Sequence, residues 1–236
     1  MNYKIEDRIS RITLDDGKVN AMNWDFFNEL NENLDRALAD SASVLILTGR
    51  PGVFSAGLDL KLLPTQSLTE QIKFQKTFAT TMLRVYQFSI PTIAAYAGHA
   101  IAGGAILSFA CDRFMIADGP YKIQINEVAN KMCIPSWITL ICRSSIPHRF
   151  WKEALLHARP YTPREAFERG IVDDLIAEKD SIADAAKAYA TDLFRLDLRA
   201  YDATKKFLRQ EECRRVMDIF EKELLDWRLN YVKVSE

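Results

Sequence analysis

Two glycine-bearing segments carry the first chemical signal in this chain. Gly98-His99-Ala100-Ile101-Ala102-Gly103-Gly104 holds three glycines ahead of an apolar helical run. Phe54-Ser55-Ala56-Gly57-Leu58-Asp59-Leu60 follows a short apolar run and a loop, with small residues at 55–57. A helix start exposes N–H groups that have no intrahelical acceptor, together with the positive end of the helix dipole. Glycine removes the Cβ that would keep a ligand away from such a backbone. A carbonyl oxygen that gains negative charge during a reaction would be stabilised there. The same glycines also suit tight turning and close helix packing, and either segment alone is open to both readings. The G-x-G-x-x-G spacing of a dinucleotide site is absent.

Other reactive residue types form no constellation. His99, His148 and His157 are scattered and never at i, i+4, so no zinc site is expected. Cys111, Cys133, Cys142 and Cys213 show no CxxC spacing and read as reduced, mostly buried thiols. Ser55 and His99 would approach only by accident of folding.

The elements that must position the two segments alternate along the chain. Residues 8–14 (RISRITL) read as a strand followed by the turn Asp15–Lys18. Asn23 caps a helix in which Phe27, Leu30, Leu34 and Leu38 recur at helical spacing. Val44–Leu47 is a continuous apolar run, the mark of a parallel strand buried on both faces, and it runs into a TGRPG loop. Ser67 and Glu70 form a capping box for a helix to about residue 88, and Pro91–Ala97 reads as another buried strand. Gly98–Gly104 opens a third helix to about Ala110, and Phe114–Ala117 is a further strand. Residues 44–117 thus predict an α/β core with right-handed crossovers. Thr162 and Glu165, with Pro163 between them, make a second capping box; Gly170 ends that helix and 171–176 (IVDDLI) follows as a strand. From Asp180 the pattern is helical only, over 181–196 and 202–229. Asp112 reads as a structural residue at a strand start.

Bulk properties narrow the partners. The chain has 236 residues, 31 basic against 32 acidic, and a net charge of −1, which gives no broad field for nucleic acid or an anionic membrane. An anionic ligand would need a local basic site. No run of 18 apolar residues occurs, so no membrane span is expected. MNYKIEDRIS has no leader character and VKVSE no peroxisomal or lipidation signal, so a cytoplasmic location is expected.

Taken together, five stretches in this order resemble the crotonase (enoyl-CoA hydratase/isomerase) superfamily. They are GKVNAMN (17–23), LILTGRPGVFSAGLDLK (45–61), PTIAAYAGHAIAGGAILSFACD (91–112), INEVANKMCIP (125–135) and YTPREAFERGIVDDLI (161–176). The resemblance covers roughly residues 5–180. It implies an α/β crotonase (ClpP-like) fold: a repeated ββα spiral core over 1–180 that binds acyl-CoA, and a C-terminal helical trimerisation region over 181–236. A homotrimer or a dimer of trimers is expected. No separate cofactor is implied, because coenzyme A is part of the substrate, and no metal.

The resemblance also implies site residues. The thioester oxygen would sit between the backbone N–H groups of Leu58 and Gly103. Lys18 stands where the family places a basic residue near the CoA phosphates, although it also reads as a solvated turn lysine; Lys61 is equally ambiguous. Asn20–Met22 and Ala56–Lys61, with Gly57, Asp59 and Leu60 among them, would border the adenine and pantetheine. Lys205 and Lys206 read as a solvated helix face, or as reaching a neighbour's CoA phosphate.

The choice of reaction depends on the acid/base groups. Two-glutamate hydratases place their first glutamate two residues after the glycine pair, where this chain has Ile106, after Gly104 and Ala105. The second glutamate matches Glu127 in Asn126-Glu127-Val128, and that motif looks more like the single-glutamate Δ3,Δ2-enoyl-CoA isomerases. Ile106 could then supply an apolar wall, and Cys133 and Trp137 either line the acyl end or merely pack. Ala102 replaces a common glycine, and Lys131 another, four residues after Glu127. An inward Lys131 would pair with Glu127 or suit a carboxylated acyl group; an outward one is a surface lysine. The expected activity is an isomerase of enoyl-CoA thioesters, with a hydratase-like enzyme of fatty-acid or related metabolism, or a non-catalytic acyl-CoA binder, as alternatives.

Overall fold

In the computed structural model, residues 1–178 and 181–231 are described, with side chains through Leu224 in the last helix. Lys179 and Asp180, at the boundary expected between core and tail, and the terminal VKVSE lie outside the described residues. In chain order the elements are β1 (Asn2–Glu6), β2 (Ile9–Leu14), β3 (Ala21–Met22), α1 (Trp24–Ala39), β4 (Val44–Gly49), β5 (Gly52–Ser55), β6 (Gly57–Leu58) and α2 (Leu68–Tyr86). Then come β7 (Thr92–Tyr96), β8 (Gly98–Ile101), α3 (Gly103–Ala110), β9 (Arg113–Ala117), β10 (Ile123–Gln124) and α4 (Ser136–Ser145). The chain continues through α5 (Pro163–Glu168), β11 (Asp174–Ile176), α6 (Ile182–Asp192) and α7 (Leu198–Tyr231).

The main sheet has the order β1-β2-β4-β7-β9-β11, parallel throughout except for the antiparallel hairpin of β1 with β2. Asp7 and Arg8 turn that hairpin, both at positive φ, as a two-residue turn of this twist requires. Both faces of the parallel strands are covered, which explains the continuous apolar runs. Ile46, Ile93, Ala95 and Met115 face Ile182, Ala186 and Ala190 of α6. Leu45, Leu47, Ala94, Tyr96 and Ile116 face the larger core filled from α1 to α4. Two small parallel sheets, β10-β8-β5 and β3-β6, lie beside the main one and complete an α/β arrangement.

The structure corrects the expected elements at four places. Gly98–Ile101 is a strand, not a helix start, and α3 begins only at Gly103. A Cβ on Gly98 would fall 2.4 Å from Val53 N, so glycine there permits the close approach of β8 to β5. The 54–60 segment, to which the sequence assigns no element, contains the end of β5 and all of β6. The strand expected over 171–176 spans only Asp174–Ile176, because Ile171 and Val172 are buried in the turn after Gly170. The last helix starts at Leu198, where Asp197 Oδ1 accepts the N–H groups of Arg199 (3.0 Å) and Ala200 (2.9 Å).

A fifth correction concerns the tail. Lys205 is neither solvated nor free to meet a phosphate; it is 5% exposed and its Nζ lies 2.6 Å from Asp112 Oδ2. Arg209 Nη1 donates to Asp112 Oδ1 at 2.8 Å, and Thr92 N and Oγ1 each donate to Oδ2 at 2.9 Å. Burial raises the Asp112 carboxyl, but the Lys205 and Arg209 charges outweigh it and hold the group below the usual carboxylate range. Asp112 therefore joins the α3–β9 junction to α7. Lys206 is exposed and pairs with Asp202 at 2.6 Å.

Candidate active site

The ladder between β3 and β6 sets the first part of the site. Met22 lies opposite Leu58, and Asp59 N donates to Met22 O at 3.0 Å. In a parallel ladder the residue opposite such a partner turns its own N–H and C=O away from that strand. The Leu58 N–H therefore points away from β3. Gly103 opens α3, so its N–H has no acceptor within the helix.

Glycines bring these two segments together. Gly57 has φ +84°, and a Cβ there would lie 2.9 Å from both Gly103 N and Ile101 O. A Cβ on Gly104 would lie 2.3 Å from Ser55 O, and one on Gly103 2.7 Å from Met22 Sδ. Ala102 sits at φ 49°, ψ −120°, a conformation that penalises a side chain and that glycine adopts freely.

A cavity of about 240 Å³ opens beside this junction. Ala56, Leu58, Leu60, Ala102 and Gly103 form one side. Gln75 and Phe78 of α2, residues of the 126–138 segment including Asn126, Glu127, Met132 and Ile134, and Phe220, Glu223 and Leu224 of α7 form the others. Glu127 is 7% exposed and its Oε2 has no hydrogen-bond partner. Burial pushes its carboxyl up to about 7, with the backbone N–H groups of Glu127 and Asn126 offsetting only part of the shift. A carboxylate so placed can exchange protons with a ligand near neutral pH.

Several expected ligand contacts are replaced by packing roles. Asn20 is buried; its Nδ2 donates to Leu14 O (2.8 Å) and Phe54 O (2.9 Å), and its Oδ1 accepts from Asp16 N (2.9 Å). It pins strand ends and has no free group for a ligand. Met22 and Gly104 are buried where the two loops pack together. Ile106 is fully buried in the core and not on the cavity wall. Trp137 is fully buried too, edge-on to Phe78 at 4.8 Å and to Phe220 at 6.2 Å, one layer behind the two rings that line the cavity. Lys131 is exposed and outside the wall, in the left-handed conformation (φ 60°, ψ 26°) that ends the turn after Glu127. Glycine would adopt that backbone geometry without strain.

Around the mouth, Ala56 N donates to Val19 O at 3.0 Å, which sets the Lys18 turn beside the cavity edge. Lys18 and Lys61 are exposed, and Asp59 Oδ1 accepts Lys61 N at 3.1 Å. Cys133 lines the cavity. Ser55 and His99 are engaged apart: Ser55 Oγ lies 2.7 Å from Asn20 O, and His99 Nδ1 accepts Lys122 N at 3.1 Å. The contributions of Gln75, Phe220, Glu223 and Leu224 had no sequence signal, since no motif tells which face of a long helix meets the core. Among the described residues no group of three or more His, Cys, Asp or Glu could hold a metal ion, and no helix is long and apolar enough to cross a membrane.

The profile of the enoyl-CoA hydratase/isomerase family matches residues 4–224. Human mitochondrial enoyl-CoA delta isomerase 1 is 31% identical over 202 residues, covering 84% of this chain and 67% of that protein. A putative enoyl-CoA hydratase of Thermus thermophilus is 31% identical over 183 residues, 76% of this chain and 71% of its own length. The solved human mitochondrial delta3-delta2-enoyl-CoA isomerase superposes with a TM-score of 0.91 at 27% identity, covering 96% of this chain and 89% of that one. An enoyl-CoA hydratase/isomerase family protein from Pseudomonas syringae gives a TM-score of 0.89 at 29% identity, over 94% and 96%. The glycine-joined loops and the buried glutamate thus stand on the scaffold of these enzymes, and the chain belongs to the enoyl-CoA hydratase/isomerase family.

Proposed function

We propose that this enzyme is a Δ3,Δ2-enoyl-CoA isomerase in which Glu127 shuttles one proton and the N–H groups of Leu58 and Gly103 hold the thioester oxygen. The observation that carries the reading is Glu127: a buried carboxylate with an unpartnered Oε2 in the same largely apolar cavity as both loops. The other wall carboxylate, Glu223, is held by Ser136 N at 3.0 Å and has no comparable freedom. Removal of a proton from C2 of a 3-enoyl thioester by Glu127 leaves a dienolate, with the negative charge drawn onto the thioester oxygen. Two pre-aimed N–H donors stabilise that charge, and one such donor is worth on the order of 10²–10³ in rate. Return of the same proton to C4 from the neutral Glu127 gives the conjugated 2-enoyl thioester and regenerates the carboxylate. A single carboxylate suffices, and an apolar surround raises its basicity while keeping out the water that would hydrate the product.

Coenzyme A enters as part of the substrate, with Lys18 and Lys61 as the local cations for its phosphates. The exposed Phe207 and Leu208 of α7 favour burial of that face in the homotrimer the family resemblance implies. Incubation with a 3-enoyl-CoA tests the reading through the absorbance of the conjugated product. Turnover is expected, with Glu127→Gln slower by on the order of 10²–10⁴. No turnover, or an unchanged rate in Glu127→Gln, overturns it. Loss of the absorbance of crotonyl-CoA would instead assign a hydratase, and binding without turnover a non-catalytic acyl-CoA binder.

A further inference from the structure

The active-site cavity and a second space share two lining side chains. A groove of about 550 Å³ runs between α4 and α7, lined by the apolar Leu140, Trp151, Val216 and Ile219 and by the charged Arg143, Glu212 and Arg215. Ile134 and Glu223 line both this groove and the active-site cavity. They are the partition between the two. On α7 the register is consistent with this: Val216 and Ile219 face the groove, while Phe220 and Leu224 face the cavity.

Glu223 is fixed in the partition by the start of α4. Pro135 occupies the cap position of that helix and offers no side-chain acceptor. Ser136 N instead donates to Glu223, 3.0 Å from Oε2 and 3.2 Å from Oε1. Ser136 Oγ lies 3.0 Å from both Glu223 Oε2 and Val216 O. A carboxylate at a helix N-terminus is favoured by the unpaired N–H groups and the dipole there. The contact therefore ties α7 to α4 exactly where the two spaces would otherwise join.

We propose that Glu223, latched to Ser136 and backed by Ile134, is the specificity-determining wall that ends the acyl cavity and limits the length of the acyl chain. This inference rests on the reading of the cavity as the acyl site. The cavity, of about 240 Å³, ends at this partition. Longer chains meet the partition, and its removal leads them into the groove past Leu140, Val216 and Ile219.

The test uses saturated hexanoyl-CoA and dodecanoyl-CoA, so that binding is measured by calorimetry without any turnover. The wild-type protein is expected to bind the two within about threefold. In Glu223→Ala and separately in Ile134→Ala, dodecanoyl-CoA is expected to bind at least tenfold tighter than hexanoyl-CoA. Each methylene buried against the Leu140, Val216 and Ile219 side chains of the groove is worth about fourfold, so two or three suffice. Glu223→Gln, which keeps the volume and an acceptor for Ser136 N, is expected to retain the wild-type ratio. Ile134→Ala leaves the latch in place and reports on the wall should Glu223→Ala fail to fold. A wild-type preference of tenfold or more for the longer chain, or an unchanged ratio in the variants that fold, overturns the proposal. Failure of the isomerase assay with the expected binding ratios would leave this wall standing and remove only the assigned reaction. Failure of the wild-type protein to bind either thioester would remove both.

Discussion

Replacing Glu127 by Gln should make the protein more stable while removing its activity, and the gain should depend on pH. The Glu127 carboxyl titrates at about 7 in the fold against an ordinary value of 4.5, because burial disfavours its charged form. Folding therefore favours the protonated acid. Below pH 4.5 the group is protonated in both states and costs nothing. Between 4.5 and 7 the unfolded chain releases its proton first, and stability falls by about 1.4 kcal/mol for each pH unit. Above 7 the full cost is present, about 3 kcal/mol as an upper bound. Gln keeps the size and carries no charge, so Glu127→Gln should unfold at higher urea concentration than the wild-type protein at pH 8, by up to about 3 kcal/mol, and should nearly coincide with it at pH 4.5. Urea titrations of both proteins at the two pH values measure this. A variant less stable than wild type at pH 8, or a difference independent of pH, would refute the account of a desolvated, unpaired carboxylate. The same titration sets the activity: kcat/KM should rise with pH to a plateau, with an apparent pKa near 7 in the free enzyme.

Two further substitutions test the backbone geometry. Gly57→Ala places a Cβ 2.9 Å from Gly103 N at a φ of +84°; it should cost about 1–3 kcal/mol in stability, and the spreading of the two loops should lower kcat more than it raises KM. Lys131→Gly relieves a left-handed backbone at φ 60° and should stabilise the protein by about 1 kcal/mol; kcat and KM should stay as in the wild type, because the Lys131 side chain lies outside the cavity wall, whereas an altered pH profile would show that it reaches Glu127.

The sequence by itself determined the alternation of strand and helix, because continuous apolar runs such as 44–47 can be buried only between two covering layers. It also marked both capping boxes, which are local: Ser67 with Glu70 and Thr162 with Glu165 need only three residues of chain. It marked the two glycine segments, since close backbone approach leaves a residue type behind, whereas Glu127 was singled out only by the family resemblance. The short strands β5, β6, β8 and β10 were not legible, because two to four residues give no period and their pairing partners are distant in sequence. Burial direction was not legible either. Ile106 and Trp137 are apolar residues beside the motifs, yet both face the core, while Phe220 and Glu223 of the tail reach the cavity from nearly a hundred residues further on. Lys205 shows the same limit, since a lysine on a long helix reads as solvated until Asp112 is placed beneath it. What local chemistry and periodicity specify can be read from the chain; which side chains share a space depends on contacts between distant segments, and only the folded structure decides them.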